Sequence, residues 1–362
     1  MALSAEERRI RILRVMGEVG TIRVVDLAER LGIPAVTVRR DVAALADSGR
    51  LQRSHGAVSL PDTPVPGQES AAPSGRGRVI GMLVPTIGSY FDDVIDGARA
   101  AAAAAGARLS LAVAPYGVGD DRTQVERLLE APVDGLMLTP TWKPGISAED
   151  NDWLAHLPVS TVLVERRAAL GTLGADLDSV ASDHRHGVLL ALRHLAGLGH
   201  TSVLLAARDD TWTAHEIRAG YADGVRLFGL APQPVIDMHR SNGVFAPPDP
   251  DRVADAIADA VGETGVRAVL AHNDTAAIQL PPLLQARGLR VPEDLALISY
   301  DDLFAAHATP PLTAVAPPRQ AVGATAMELL LRRLAVDSAL PAQRIELLPT
   351  LKVRASCGAS AR

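Results

Sequence analysis

IPAVTVRRDVAALADSGRLQRSHG, residues 33 to 56, decides how the first part of the chain is read. Val38, Val42 and Leu45 recur at i, i+4 and i+7, so a helix here buries them on one face. Thr37, Arg39 and Arg40 fall off that stripe and point outward. Pro34 suits a first helical turn. Two adjacent arginines on a short exposed helix suit phosphates and guanine edges in a DNA major groove. Alone, such a pair reads more readily as a solvated helix face, so the flanking segments must decide.

Upstream, Glu6 to Gly17 is predicted as a helix, with Ile10, Leu13 and Met16 as its apolar face. Ser4 and Glu7 have capping-box spacing, and Gly17 is expected to end it. Thr21–Ile22 reads as a brief extended segment. Val24 to Leu31 reads as a second helix closed by Gly32. Helix, tight glycine turn and helix make the helix-turn-helix plan. Downstream, Gly49 is expected to end the third helix. Residues 50–60 (RLQRSHGAVSL) then alternate and turn at His55–Gly56, as a two-stranded wing does.

Residues 6–58 resemble the DeoR-type winged helix-turn-helix. The likeness rests on R-x-x-I-L, V-x-x-L-A-E-R-L-G, T-V-R-R-D-V-x-x-L, G-x-L-x-R and H-G-A, in order and in register. It implies that Thr37, Arg39 and Arg40 approach DNA, with Arg53 and His55 on the wing. Pro34 stands where that family usually has serine, which removes one hydroxyl from the reading helix.

At 362 residues the chain exceeds one ordinary core, so two or three domains are expected. Hydrophobic content of 48% with 22% charged residues is that of a soluble globular protein. No apolar run reaches the length of a membrane span, and MALSAEERRIRIL lacks the apolar block of a signal peptide, so a cytoplasmic location and no membrane partner are expected. A single cysteine, Cys357, rules out an internal disulfide framework. The net charge of −6 is unevenly spread. Residues 1–60 hold 10 Arg against 7 Asp and Glu, whereas residues 61–362 hold 26 Lys and Arg against 35 Asp and Glu. Only a basic head of this kind suits a polyanion.

Residues 61–77 carry four prolines and three glycines without an apolar period, which predicts an extended linker. The expected domains are therefore a head over 1–60, the linker over 61–77 and a body over 78–356. From Arg78 the pattern becomes strand-then-helix. VIGMLV, RLSLAV, DGLMLT, VSTVLV, TSVLLAA, VRAVLA and LALIS read as buried strands. Helices are predicted over 91–106, 120–130, 184–199, 214–228, 275–287 and 319–336. Some ten strands over about 280 residues predict an α/β body of two parallel-sheet lobes.

Ligands of such sheets bind beyond the carboxyl ends of the strands. Seven of the eleven aromatic residues fall just past predicted strands: Tyr90, Phe91, Tyr116, Trp142, Trp212, Tyr300 and Phe304. Gathered around one crevice they would stack on a small, partly apolar ring; the competing reading is lobe packing. Glu165–Arg166, Asn273–Asp274 and Asp301–Asp302 lie at the same strand ends and suit ligand hydroxyls.

This body resembles the LacI/GalR-type sensor, a relative of periplasmic sugar-binding proteins. The likeness covers residues 78–355 and rests on V-I-G-M-L-V-P, V-D-G-L-M-L-T, H-x-x-x-L-G-H, N-D-x-x-A, G-L-R-V-P-E-D, Y-D-D and T-P-P-L-T-A-V. It implies a bilobed type I periplasmic-binding-protein-like fold. It also implies effector bonds from Asn273 and Asp301, with Glu165 where the family often has Asp and Tyr90–Phe91 on a contact loop. Ile217 occupies the place of the family's effector arginine, and Arg218 lies one step later. Asp183–His184 replaces the usual Asp-Asn pair. Because the head is DeoR-like and the joint is rich in Pro and Gly, no minor-groove hinge helix is expected.

Together these readings predict a ligand-responsive transcriptional repressor of carbohydrate-related genes. It would work as a homodimer on a double-stranded DNA operator with half-sites roughly 34 Å apart or a multiple of that. The effector, a sugar, polyol or nucleoside, would contact Tyr90, Phe91, Trp142, Glu165, Trp212, Arg218, Asn273 and Asp301. No cofactor and no metal are called for. His184, His186 and His194 share a helix but read as solvated or capping. The rival readings are a solute-binding transport component and an enzyme. The missing signal peptide and the basic head argue against the first. The absence of G-x-S-x-G, H-E-x-x-H or a phosphate loop argues against the second.

Overall fold

The computed structural model describes residues 5–19, 21–47, 51–54, 57–59, 77–116, 120–142, 148–169, 171–238, 249–335 and 341–359. Ser4, Gly49, His55, Gly56 and residues 61–76 of the predicted linker lie outside the described residues, and so does the expectation of no hinge helix.

The head runs α1 (Ala5–Val19), β1 (Thr21–Arg23), α2 (Val24–Leu31), α3 (Ala35–Asp47), β2 (Gln52–Ser54) and β3 (Ala57–Ser59). Strand β3 pairs antiparallel with both β2 and β1, which makes the wing part of a three-stranded sheet. Helix α1 does not stop at Gly17. Gly32 closes α2 in the left-handed region at φ 63°, and the carbonyl of Pro34 accepts the N–H groups of Thr37 and Val38 to start α3. Val38, Val42 and Leu45 are 0–2% exposed. They pack with Ile12, Met16, Leu27, Leu51 and Val58. At about 1.5–3 kcal/mol each, these three side chains rival the whole stability of a small domain. Burial, not the modest helix propensity of valine and threonine, therefore fixes which face of α3 turns outward.

The body begins with β4 (Val79–Val84), α4 (Tyr90–Ala104), β5 (Arg108–Val113), α5 (Asp121–Glu130), β6 (Gly135–Leu138), β7 (Ser160–Val164) and β8 (Asp178–Ser182). It continues with α6 (His184–Gly197), β9 (Leu204–Ala207), α7 (Trp212–Leu227), β10 (Val235–Asp237), α8 (Pro250–Thr264), β11 (Ala268–Ala271), α9 (Asp274–Ala277) and α10 (Leu280–Gln285). It ends with β12 (Ala296–Tyr300), β13 (Thr313–Ala316), α11 (Arg319–Ala335), β14 (Arg344–Leu347) and β15 (Thr350–Lys352). One sheet has the order β14-β8-β7-β6-β4-β5 and is parallel throughout. The other has the order β10-β9-β11-β12-β13-β15, parallel except for β15 against β13. These sheets form the N lobe and the C lobe.

Three connections join the lobes: β8 to α6, β13 to α11, and β14 to β15. Two of them are bonded together, since Asp183 N–H donates to the Leu347 carbonyl at 2.9 Å. In the N lobe α4 and α11 approach so closely that a β carbon at Gly97 would lie 1.9 Å from the Gln320 carbonyl oxygen. One at Gly323 would lie 1.9 Å from that of Val94. Only glycine fits this crossing.

The single helix predicted over 275–287 is two, α9 and α10, because Pro281 and Pro282 cannot donate into a continuous helix and instead fit the first turn of a new one. No helix among the described residues is long and apolar enough to cross a membrane.

Candidate functional site

On the head, Arg39 and Arg40 are exposed and Thr37 is half-buried. Arg53 lies on β2. Behind this surface Asp41 is 1% exposed and accepts Arg8 Nε at 2.7 Å. This buried ion pair ties α3 to α1 and fixes the pose of α3, a role the pattern of apolar residues did not reveal.

In the body the cleft is built from the strand ends of both lobes. Glu165 follows β7 at φ 53° and is 1% exposed. Its Oε1 accepts Tyr90 Oη at 2.8 Å and Ser182 Oγ at 2.9 Å. Its Oε2 accepts Ser182 N–H at 2.9 Å, with His184 Nε2 at 3.6 Å. Burial pushes the Glu165 carboxyl up, but the bonds from His184, Ser182 and Tyr90 outweigh it and hold the group below its ordinary value. Glu165 is thus an organiser of the cleft, with both oxygens engaged inside the protein. His184 is neither solvated nor a cap: it is 4% exposed and its Nδ1 meets Tyr300 Oη at 3.2 Å.

Asp301 follows β12 at φ 96° and is 4% exposed. Its backbone carbonyl accepts Arg319 Nη1, but its Oδ1 is buried with no partner among the described residues. Burial, then the neighbouring Asp274 and Glu165, raise its pKa to about 7 against the opposing pull of His184 and Arg319. Asp274 is fully buried, and its Oδ2 accepts the N–H groups of Leu303, Phe304 and Ala305 at 2.5, 3.0 and 3.2 Å. It shapes the turn that presents Asp301. Asn273 is half-buried and its amide makes no cap bond to α9.

Across the cleft Trp142 of the N lobe meets Trp212 of the C lobe edge-to-face, ring centroids 6.2 Å apart. The Trp142 Nε1–H is buried and unpartnered among the described residues. Arg167 also bridges the lobes, donating Nη2 to Glu216 Oε2 at 3.2 Å while Nη1 binds Glu346. Arg185 Nε shares Glu216 at 2.8 Å.

Not all seven aromatics gather at one crevice. Tyr90, Trp142 and Trp212 face it. Phe91 is 4% exposed and packs with Met82, Val84 and Val94 in the N-lobe core, because its place on α4 turns it toward the sheet. Tyr300 is fully buried in the C-lobe core. Tyr116 is hydrogen-bonded to Arg166, and Phe304 lines a separate groove with Ile278, Pro282 and Val291. Arg218 is engaged within the C lobe. Its Nε donates to the Arg208 carbonyl at 2.7 Å, and Nη2 to the Ala207 carbonyl at 3.0 Å and to Asp237. Ile217 is buried in the C-lobe core. Arg166 is fully buried and spent on Pro140, Glu165 and Tyr116. Among the described residues no group of three or more His, Cys, Asp or Glu has metal-site geometry.

Residues 8–63 match the DeoR-like helix-turn-helix domain, and residues 192–357 match the periplasmic binding protein-like domain. The chain thus matches a DeoR-like helix-turn-helix domain in its head and a periplasmic binding protein-like domain in the second part of its body. The chain is similar over 281 residues to the transcriptional repressor PurR of Vibrio parahaemolyticus, with 28% identity over 76% of this chain and 80% of the repressor. Among solved structures, the body is similar to a transcriptional regulator of the LacI family from Sanguibacter keddieii (TM-score 0.60, 28% identity, 79% of this chain and 100% of that one). The fold is also that of a LacI family regulator from Enterococcus faecium with bound ribose (TM-score 0.60, 23% identity, 77% and 98% coverage). The mostly parallel two-sheet body with a helix-turn-helix head is the architecture read from the sequence, and these relatives are transcriptional regulators.

Proposed function

We propose that this chain is a ligand-responsive repressor whose head binds a double-stranded DNA operator and whose body binds an uncharged, sugar-like effector between its lobes. The division into a head over 1–60, a linker over 61–77 and a body over 78–356 belongs to this reading, as does a place in the cytoplasm. The observation that carries the effector's chemistry is the balance of spent and unspent groups in the cleft. Asp301 Oδ1 and Trp142 Nε1–H are buried without a partner among the described residues, and the Asn273 amide makes no cap bond. The cleft arginines Arg166, Arg167, Arg218 and Arg319 are all engaged within the protein. Hydroxyl groups satisfy such a set, because each both donates and accepts, and the Trp142–Trp212 pair suits the apolar face of a sugar ring. An anionic ligand would find the buried Asp301 and, among the described residues, no uncommitted cleft arginine.

The effector stabilises one arrangement of the lobes through its differential affinity, and that bias passes to the heads of a homodimer. A thermal-shift screen of sugars, polyols and nucleosides, each beside its phosphorylated form, tests the reading. Neutral compounds should raise the melting temperature and their phosphates should not. Stabilisation by phosphorylated compounds alone overturns it.

A further inference from the structure

Val36 is the most exposed large hydrophobic side chain among the described residues, at 74%. The head's core has no use for it, since α3 buries Val38, Val42 and Leu45 instead. Val36, Arg39 and Arg40 stand at i, i+3 and i+4, so they share one outward face. That face begins at the N-terminal turn of α3, the part of a reading helix that reaches base edges. A lone exposed valine on a protein surface is ordinary. This one lies beside two exposed arginines on the face assigned to DNA, and the preceding exposed residue, Pro34, offers no side-chain hydrogen bond. Val25, the head's other exposed large hydrophobic, sits instead next to Asp26 and one turn from Glu29, whose carboxylates repel phosphate.

An isopropyl group cannot hydrogen-bond a base. The major-groove feature that rewards apolar contact is the 5-methyl group of thymine. We propose that Val36 is a specificity-determining residue that packs on a thymine methyl in each half-site, while Arg39 and Arg40 engage guanine edges or phosphates beside it. The proposal rests on the DNA-reading function assigned above to the head.

The test uses the full chain and a random-sequence duplex library. Repeated binding enriches preferred duplexes, and each thymine of the winning duplex is then replaced singly by deoxyuridine, which removes only the methyl. One position per half-site should weaken binding about fourfold, the factor expected for one buried methyl group. Val36→Ser should bind the parent duplex more weakly and be indifferent to the same replacement. Because Val36 is exposed, the variant should melt with the parent chain, which separates lost contact from lost folding. The proposal fails if no deoxyuridine duplex loses affinity, or if Val36→Ser keeps the full penalty. Failure to enrich any sequence would instead remove the DNA-reading function itself, and this proposal with it.

Discussion

Replacing Asp301 by asparagine should stabilise the protein, and more so as the pH rises. The Asp301 carboxyl is 4% exposed, one of its oxygens has no partner among the described residues, and its pKa rises from the ordinary 3.8 to about 7. Between those values the folded chain holds a proton that the unfolded chain has released. Stability therefore falls as pH climbs from about 4 to about 7, and the full penalty persists above that. At about 1.36 kcal/mol per pH unit, the penalty grows by about 3 kcal/mol between pH 5 and pH 8. The asparagine amide cannot ionise, so the advantage of Asp301→Asn over the parent should widen by that amount, roughly 8 °C in melting temperature. Scanning calorimetry of both proteins at pH 5 and pH 8 measures it, and carboxylates common to both cancel in the difference. A gap that stays constant with pH, or that widens toward acid, would refute the reasoning. The same sign governs ligand binding. A hydroxyl donating to Asp301 favours the ionised form, so effector affinity should rise up to about tenfold from pH 6 to pH 8.

Arg40→Ala should weaken duplex binding and, as a phosphate contact, lower the slope of log affinity against log salt by about 0.9; gel shifts at graded salt measure it, and an unchanged slope with weakened binding moves the residue to a guanine edge. Gly187→Ala should destabilise the body by about 1–3 kcal/mol, because the new β carbon would lie 2.5 Å from Tyr300 Oη and 2.9 Å from Val315 Cγ1. An unchanged melting temperature would show that the His184–Tyr300 contact yields more easily than its burial implies.

Most of the architecture was legible because burial leaves a period in the sequence. Helix α2 was read to the residue, since an amphipathic stripe and Gly32 mark its face and its end. Helix α1 ran past Gly17 because one internal glycine costs only about 1 kcal/mol, less than the packing of the Ile12 and Met16 face contributes. Strands β8, β10, β13, β14 and β15 went unread. Each is only three to five residues long, too short to show a period, and is held by partners distant in the chain, as β14 is by β8. In the cleft, the places of Asp301 and Asn273 just past β12 and β11 were legible because a strand end announces position. The fates of Arg218 and His184 were not, because they depend on Asp237 and on Tyr300, which no local spacing connects to them.

Arg167 reaches across from Glu346 on one lobe to Glu216 on the other. Separating the lobes must strip Glu216 of that guanidinium or leave the acid to Arg185 alone. On the proposed function, the bond lies outside both the groups assigned to a small molecule and the helix assigned to a promoter. Substitution there can thus reset how far the resting switch leans, and so how leaky the controlled genes are, with neither the chemical signal nor the genomic address rewritten.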